Sequence, residues 1–458
     1  MGEGTKAATI RLAEILGALS HALDLTEGQP AGHCIRSTYM GVRIGQALGL
    51  DEATLRDVYY TILLKDLGCS SNAARICELY LTDDIGFKRD FKALDDSLGQ
   101  VLKFVFSQTG LKAGLAERFR ALVNIARNGG AIVDELMQTR CQRGAAIAKR
   151  LRFPDGVADG IRALDEHWSG SGRPDRLSGA AIPLPSRIAL LVQVADVFQR
   201  SDGPAAALSE VRQRAASWLD PDLVTVFEGV AEDPDFWATL KREDIDAVVL
   251  DLEPGAATEG VDEDYLDDIA EAFAEVVDSK SPYTNGHSKR VALFTDLIAE
   301  EMGLSPDHRR WLKRAALPHD IGKLGVSNAI LDKPGRPDDA EWDAIRRHPV
   351  YSEAILAQIG PFAELARIGG AHHERLDGKG YPRGLSGDEI TLETRIVTVA
   401  DIFDALTADR PYRAAMPISK ALAILDGDVG TAVDGDCLAA LRRALARAEA
   451  AETLADAA

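Results

Sequence analysis

Residues 286–326 read GHSKRVALFTDLIAEEMGLSPDHRRWLKRAALPHDIGKLGV, and this stretch decides the fold class. From Val291 to Met302 the apolar residues recur at intervals of three and four, and Gly303 follows as a helix stop. Ser305 then provides the N-cap of a second helix, with a proline in its first turn. Apolar spacing of this kind continues through almost the whole chain, and Ala247–Leu252 is the best candidate for a strand. The sequence therefore predicts an all-α protein.

The composition is that of a globular protein with a full core. The chain has 458 residues, of which 46% are hydrophobic and 27% are charged, and its formal net charge is −20. This balance excludes a disordered or fibrous protein. The negative charge argues against nonspecific binding to DNA, RNA or an anionic membrane, so none of these is expected as a partner.

The cysteines and the N-terminal residues predict the compartment. The five cysteines are scattered and none forms a Cys-x-x-Cys pair, which is typical of reduced thiols in a cytosol. The first residues show no cationic segment followed by an apolar run and a cleavage site. No uninterrupted apolar stretch reaches the length of about 18 residues that indicates a membrane span. We therefore expect a cytoplasmic protein.

The chain contains an internal repeat. Gly32-His33-x-x-Arg36 recurs as Gly286-His287-x-x-Arg290 at an offset of 254 residues, and Gly172-Arg173-Pro174 recurs as Gly380-Tyr381-Pro382 at an offset of 208. Because the two offsets differ by 46, the first copy carries that many extra residues, which we place within 75–135. The predicted organisation is a first domain over 1–250, a linker over 251–262 and a second domain over 263–458.

The second copy concentrates side chains that bind metals. Six of the nine histidines fall between His287 and His373. The candidate ligands are His287, the pair His319-Asp320, His348, the pair His372-His373, and Asp401. Imidazoles and carboxylates without thiolates suit iron, manganese, zinc or nickel. Seven such groups exceed the needs of one ion and predict two metals that share a bridging carboxylate, an arrangement used to cleave phosphoesters.

The first copy provides an internal comparison for these residues. Alignment places Lys65 opposite His319, Arg140 opposite His348, Leu164 opposite His372 and Asp165 opposite His373. His33, Asp66 and Asp196 are retained as the counterparts of His287, Asp320 and Asp401. The scaffold does not need the four imidazoles for folding, because its own sister copy lacks them. We therefore expect a metal site in the second copy and none in the first.

Cationic and aromatic residues near these ligands indicate a phosphate-containing substrate. Lys323 follows Asp320 by three residues, while Arg410 and Arg413 follow the last ligand at helix-compatible spacing and form planar forks that match phosphate oxygens. Three glycines and a proline make residues 377–384 a loop. Tyr381 in this loop either stacks on a base or packs the loop itself.

Taken together, the motifs resemble the HD-GYP family, a branch of the HD phosphohydrolases, over roughly 265–430. The resemblance rests on the segments Gly286–Ala292, His319–Val326, His372–Gly387 and Val399–Arg413, together with His348. It implies tandem all-α HD-type bundles, the first degenerate and the second metal-binding. The implied activity is metal-dependent phosphodiesterase cleavage of cyclic di-GMP to linear pGpG and in many members to GMP.

The family pattern also implies roles for individual residues. All seven candidate ligands would bind two divalent metal ions, with iron or manganese expected first and Asp320 as the bridge between them. Asp320 and Lys323 would be catalytic, and Lys323, Arg410, Arg413 and Tyr381 would bind the substrate. Some relatives bind a third metal through a carboxylate that stands where this chain has Tyr283, so two metals are expected here. Pro318 replaces an aliphatic residue and is expected to bend the helix that presents His319.

Several alternatives remain open from the sequence. The same site also suits another cyclic dinucleotide or nucleotide as substrate, because base-reading contacts are not spelled out by the motif. A nucleotide-binding regulatory module with low turnover is a second alternative. The first copy is assigned to regulation, to dimerisation as a homodimer, or to packing against the catalytic copy.

Overall fold

The computed structural model describes residues 12–92, 94, 98–111, 113–255, 262–409 and 413–456. The chain divides into two compact units, Met1–Asp262 and Glu263–Ala458. Within the described residues the secondary structure is helical, with two isolated β-bridges and no strand, so the predicted all-α class is confirmed. Among the described helices, none combines the length and the apolar character that a membrane crossing requires.

The first unit is built from helices of very different lengths. They are α1 Leu12–Thr26, α2 His33–Ala47, α3 Glu52–Leu63, α4 Ala73–Tyr80, α5 Asp84–Phe91, α6 Leu98–Gln108, α7 Leu115–Arg150, α8 Asp155–Arg162, α9 Leu184–Asp202, α10 Pro204–Gln213, α11 Pro221–Ala231, α12 Pro234–Thr239 and α13 Ile245–Asp251. Short 3₁₀ turns occur at Cys69–Asn72 and Gly179–Ala181.

The last residues of the first unit form a helix where a strand was predicted, and they lead into the predicted linker. The strand candidate Ala247–Leu252 is wrong, because its residues up to Asp251 belong to α13. Ile245 and Val249, one helical turn apart, are both buried there. Of the predicted linker, residues 256–261 lie outside the described part of the chain. The second unit begins at Glu263, the residue at which the predicted second domain starts.

The extra residues of the first unit form additional helices. Between Gly68 and Arg140 the chain contains α4, α5, α6 and most of α7, whereas the corresponding stretch of the second unit, from Gly322 to His348, contains two short helices in its described residues. The added helices bury an apolar cluster that includes Tyr80, Phe87 and Phe104. The insertion therefore has a small core of its own.

The second unit carries the candidate metal ligands. Its helices are α14 Glu263–Asp278, α15 His287–Glu301, α16 Pro306–Ala316, α17 Asn328–Leu331, α18 Asp339–Ile345, α19 His348–Leu356, α20 Ala363–Gly369, α21 Leu392–Thr407, α22 Ile418–Gly427 and α23 Gly435–Asp456. Short 3₁₀ turns occur at Ile321–Gly325, Gly360–Phe362 and Gly387–Glu389. Helix α15 packs against α16, α21 and α23, with Phe294 and Phe403 in edge-to-face contact at 4.9 Å.

Two glycines bring these elements to the site. Gly286 has a φ of 69°, a left-handed conformation that glycine adopts without strain, and it precedes His287 at the start of α15. A Cβ atom on Gly322 would lie 2.0 Å from the carbonyl oxygen of His348. The turn that carries Asp320 can therefore approach α19 only because residue 322 has no side chain.

Candidate metal centre

The seven predicted ligands lie on separate segments of the second unit and converge on one point. His287 and His348 are the first residues of α15 and α19, His319 and Asp320 follow α16, His372 and His373 follow α20, and Asp401 lies within α21. Helix starts and inter-helix turns direct these side chains inward. Their ligand atoms form two groups, in each of which all atoms lie within 4.8 Å of one another. These are His287, His319 and Asp401, and then Asp320, His348, His372 and His373.

Asp320 lies between the two groups. Its Oδ2 atom is 3.4 Å from the Nε2 atoms of both His287 and His319. Its Oδ1 atom is 3.3 Å from Nε2 of His348 and 3.6 Å from Nε2 of His372. The two oxygens of one carboxylate thus face two different sets of imidazoles, which is the arrangement expected of a bridging ligand.

Backbone carbonyls orient three of the imidazoles. The Nδ1 atoms of His319, His348 and His372 lie 2.7, 2.6 and 2.8 Å from the carbonyl oxygens of the residues three positions earlier. A carbonyl can only accept, so each Nδ1 carries the proton and donates. The Nε2 lone pairs then point to the centre, as in the outer hydrogen bonds that orient metal-bound histidines.

His287 is oriented by a carboxylate that the sequence analysis missed. Its Nδ1 atom lies 2.7 Å from Oδ2 of Asp404, and Nε of Arg290 donates to Oδ1 of the same carboxylate at 2.6 Å. Asp404 is three residues beyond Asp401 on α21, so both carboxylates reach the same side of the helix. A signal for Asp404 was present in the repeat, since Asp196 lies at the offset of 208.

The centre leaves buried polar atoms without protein partners. Among the described residues, Nε2 of His287, Nε2 of His319 and Oδ1 of Asp320 are buried and have no hydrogen-bond partner. Such atoms cost roughly 1–3 kcal/mol each unless another group satisfies them. Imidazole nitrogens and carboxylate oxygens together suit borderline divalent metals. The residues present therefore fit divalent cations.

Three of the candidate ligands have charge states that suit metal binding. Burial by itself would raise the pKa of Asp320, but Lys323 and His319 outweigh it and hold the pKa well below its usual value. Burial lowers the pKa of His348 to about 4 and holds the pKa of His373 well below its usual value. These two imidazoles are therefore neutral at physiological pH, the form that binds metals.

The predicted substrate-binding residues have different surroundings. Nζ of Lys323 lies 2.5 Å from Oδ2 of Asp320 with 18% of its side chain exposed, so it borders the centre directly. The Tyr381 ring packs on the ring of His373 at a centroid distance of 4.9 Å. Arg413 donates to the carbonyl oxygens of Ala405 and Leu406 at the end of α21. Arg410 lies outside the described residues.

Trp342 and Arg346 extend the site and were not predicted. The guanidinium of Arg346 lies 5.4 Å from the ring centroid of Trp342 and 5.6 Å from that of Tyr381. The two rings are 6.4 Å apart and nearly perpendicular, and Trp342 is 39% exposed. The spacing of four residues places Trp342 and Arg346 on one helix face, a signal that the sequence alone could have provided.

Pro318 has a different effect from the one predicted. Helix α16 ends at Ala316, so Pro318 lies beyond the helix and does not bend it. His319 and Asp320 are presented by the turn that follows, in which Pro318 accepts a hydrogen bond from the backbone N–H of Ile321. Proline is well suited to this place because no helical N–H is lost there.

Comparison of the sequence with known protein families identifies the family of this chain. The profile of the HD domain family matches residues 111–223 and 271–437. The chain belongs to the HD domain family. The second match contains every candidate ligand described above, and the resemblance to the HD-GYP branch of this family is confirmed.

Several HD-type relatives have known activities. The chain is 55% identical over 437 residues to 3′3′-cGAMP-specific phosphodiesterase 3 of Vibrio cholerae serotype O1, covering 95% of each chain. A crystal structure of a cyclic GMP-AMP specific phosphodiesterase from V. cholerae matches with a TM-score of 0.66 and 50% identity, over 95% of this chain and 98% of that one. The cyclic di-GMP phosphodiesterase response regulator RpfG of Xanthomonas campestris pv. campestris is 39% identical over 179 residues, 39% of this chain and 47% of that protein.

Contacts in the first unit correct the alignment of one carboxylate. His33 contacts Asp196 through Nδ1 at 2.7 Å, and Nε of Arg36 donates to the same carboxylate at 2.9 Å. These contacts repeat those that His287 makes with Asp404, so Asp196 is the counterpart of Asp404. Its predicted match with Asp401 is wrong, because a shared Val-Ala-Asp triplet shifted the alignment by three residues.

Side-chain cations surround the first-unit carboxylate that corresponds to Asp320. Lys65, at the position of His319, forms an ion pair with Asp66, and Nη2 of Arg140 lies 3.6 Å from the same carboxylate. Burial by itself would raise the pKa of Asp66, but Lys65, Lys92 and Arg140 hold it well below its usual value. Fixed positive charges therefore neutralise this carboxylate.

Proposed function

We propose that this chain is a metal-dependent phosphodiesterase that opens cyclic dinucleotides, with 3′3′-cGAMP as the preferred substrate. The prediction of a cyclic dinucleotide phosphodiesterase is confirmed at the level of the reaction class. The choice of substrate is supported by the relative that matches along 95% of both chains, which is specific for 3′3′-cGAMP. RpfG, one of the relatives named for cyclic di-GMP, which was the predicted substrate, matches over 39% of this chain.

The observation that carries the proposal is the position of Asp320 between two imidazole sets. One divalent ion would be held by Asp320 together with His287, His319 and Asp401. A second would be held by Asp320 together with His348, His372 and His373. Iron and manganese are the candidates that suit these donors. A bound metal pair supplies a hydroxide at neutral pH and neutralises charge on phosphate oxygens.

The protein's own residues complete the site around the phosphate. Lys323 lies beside Asp320 with its side chain partly exposed, in position to contact a phosphate oxygen. A positive charge fixed there stabilises the negative charge that develops when phosphorus is attacked. Asp404 and the three carbonyl acceptors prevent the imidazoles from rotating, which keeps the ligand nitrogens directed at the centre.

Trp342, Arg346 and Tyr381 provide a platform for a nucleobase. Base–aromatic stacking contributes about 1–3 kcal/mol per base, and an arginine beside the rings adds a cation–π contact. The platform adjoins the centre because Tyr381 packs on His373. At the offset of 208, the first unit has Asp134 and Arg173 where the second has Trp342 and Tyr381, and these two form an ion pair. The scaffold therefore does not require the aromatic pair.

Product chromatography on the purified holoenzyme tests this function. We expect hydrolysis of 3′3′-cGAMP to be faster than that of cyclic di-GMP, and we expect His319→Ala and Asp320→Ala to abolish both. His308→Ala is the matched control, because His308 lies outside the site, 40% exposed and paired with Glu393. Full activity in either ligand variant would refute the proposed centre, and a preference for cyclic di-GMP would refute the proposed substrate.

A further inference from the structure

We infer that the first unit contains a second binding site, which takes a nucleotide without a metal ion. The site is a cavity of about 450 Å³ between α6, α7, α9 and the loop 165–173. This volume lies within the range of roughly 300–1,000 Å³ in which small-molecule sites occur. The inference goes beyond the proposed hydrolysis, because every residue of this cavity belongs to the first unit.

The cavity occupies the place that corresponds to the metal centre. Of its lining residues, Arg140, Asp165 and Gln193 lie at the offset of 208 from His348, His373 and Asp401. The backbone confirms this correspondence, because a Cβ on Gly68 would lie 1.9 Å from the carbonyl oxygen of Arg140, as one on Gly322 would lie 2.0 Å from that of His348. The first unit thus retains a pocket at the position of a substrate site while the ligand residues differ.

Positive charge predominates among the described residues that line this cavity. Lys92, Arg140 and Arg173 line it together with a single carboxylate, Asp165. Arg140 and Asp165 stand at the positions of His348 and His373, and Arg173 stands at that of Tyr381. Lys92 lies in the inserted segment and has no counterpart in the second unit. Fixed cations can bind a phosphate group directly, and arginine does so with two parallel hydrogen bonds. An anionic ligand is therefore favoured.

Two of these cations retain donor capacity. Nε of Arg140 and Nζ of Lys92 are buried and have no hydrogen-bond partner within the described residues. The Nη atoms of Arg140 lie 3.3 Å from Asp165 and 3.6 Å from Asp66, longer than the roughly 2.7–2.9 Å of a charge-assisted hydrogen bond. Nζ of Lys92 lies 2.8 Å from Glu27 but forms no hydrogen bond of acceptable geometry. A phosphate oxygen would satisfy these donors.

The remaining wall of the cavity is apolar and favours a ligand that carries an apolar ring beside its phosphate group. Phe91, Val133, Leu190 and Val197 line the cavity, and Trp218 contributes an indole ring. Inorganic phosphate would leave this wall in contact with water, whereas a ligand with a flat heterocycle would cover it. A phosphate joined to a planar, partly apolar ring is the chemistry of a nucleotide.

A metal ion is not the ligand that this region favours. Glu27, Asp66 and Cys69 lie close enough together to chelate an ion. However, Lys92 and Lys88 pair with Glu27, and Lys65 pairs with Asp66. Three ammonium groups already compensate these carboxylates, and a divalent cation would be repelled by them.

Calorimetric titration of the full-length chain tests the inference. His319→Ala/Asp320→Ala protein is titrated with 3′3′-cGAMP, GMP and inorganic phosphate in the presence of a chelator, so that hydrolysis does not occur. Val197→Trp fills the cavity, and Arg173→Ala removes a lining cation that is 24% exposed and also pairs with Asp134. Arg242→Ala in the same background is the matched control, because it removes an exposed arginine that pairs with Asp244 and does not line the cavity. Melting temperatures establish that each variant is folded.

The expected result is a nucleotide-binding site that Val197→Trp and Arg173→Ala each weaken at least tenfold and that Arg242→Ala leaves unchanged. Unchanged nucleotide affinity in folded Arg173→Ala protein would overturn the inference, whether or not Val197→Trp folds. Phosphate binding as tightly as the nucleotides would also overturn it, since the apolar wall would then contribute nothing. If the wild-type chain bound nucleotide at this site but did not hydrolyse cyclic dinucleotides, only the proposed function would be refuted.

Discussion

Nδ1 of His287 lies 2.7 Å from Oδ2 of Asp404, and this contact determines which nitrogen of the imidazole faces the metal centre. Because the ring donates through Nδ1, the Nε2 lone pair is free to bind a cation. His33 and Asp196 repeat the contact in the first unit at 2.7 Å. The pair therefore belongs to the shared scaffold, and in the second unit it orients a candidate metal ligand.

Replacing Asp404 by asparagine tests this positioning role. Asp404→Asn preserves the shape of the side chain but removes the charge that orients His287 and pairs with Arg290. We expect metal affinity to fall about 10- to 100-fold, the usual effect of losing an outer-shell partner. Metal titration of folded protein measures this directly.

Asp388→Ala is the control for that substitution, because its side chain is fully exposed and its ion-pair partner is Arg395. An Asp404→Asn protein with unchanged metal affinity would show that Asp404 only supports the packing of α21. Restoring activity with excess metal would support the positioning role, since a packing defect would not respond to metal concentration.

Removing metal tests the centre as a whole. Dialysis against a chelator is expected to abolish hydrolysis, and added iron(II) or manganese(II) is expected to restore it. Metal analysis should find about two ions per wild-type chain and fewer in Asp320→Asn, because the bridging carboxylate contributes to both sites. Metal-free protein that hydrolyses at the full rate would contradict the assignment.

Replacing Trp342 tests the base platform. We expect Trp342→Ala to raise KM for 3′3′-cGAMP roughly 5- to 150-fold, the equivalent of losing one stacking contact of about 1–3 kcal/mol. Trp342→Phe should recover most of this loss, because a phenyl ring still stacks. Val350→Ala, at an exposed apolar position on α19, is the control. A change confined to kcat, with KM unaltered, would argue against a binding platform.

Glu27 predicts a pH dependence for the stability of the first unit. Burial and the nearby carboxylate of Asp66 would each raise the pKa of Glu27. The positive charges of Lys92, Lys88 and Arg140 outweigh both effects and lower this pKa from 4.5 to about 2. A carboxyl whose pKa is lower in the folded state stabilises above its unfolded pKa and loses that stabilisation as the pH falls towards the folded value. Glu27→Gln should therefore lower the free energy of unfolding at neutral pH.

The measurement is urea unfolding of wild type and Glu27→Gln across pH. The difference in free energy of unfolding should shrink by roughly 1 kcal/mol between about pH 7 and about pH 4, because the unfolded carboxyl takes up its proton there. A difference that is constant over this range would show that Glu27 stabilises by packing and not by charge. Glu78→Gln, at a largely exposed position of the first unit, is the matched control.

Local sequence patterns determined the class of fold and the set of candidate ligands. Apolar intervals of three and four specify helices whatever their neighbours, so the all-α class followed directly. The ligands could be chosen because the first copy has Lys65 and Arg140 where the second has His319 and His348. The repeat thus separated residues that the scaffold needs from residues that the chemistry needs.

Only the tertiary structure decided how these residues are used. Asp404 and Asp401 are both carboxylates on α21, and the packing of α15 against that helix determines that one contacts Nδ1 of His287 and the other faces its Nε2. Trp342 and Tyr381 lie close together although 39 positions separate them in the sequence, and Arg140 lies close to Asp66 although 74 positions separate those two. Local sequence patterns specify which residues share one face of a helix. Contacts between distant segments depend on how the helices pack against one another, and no local pattern specifies that packing.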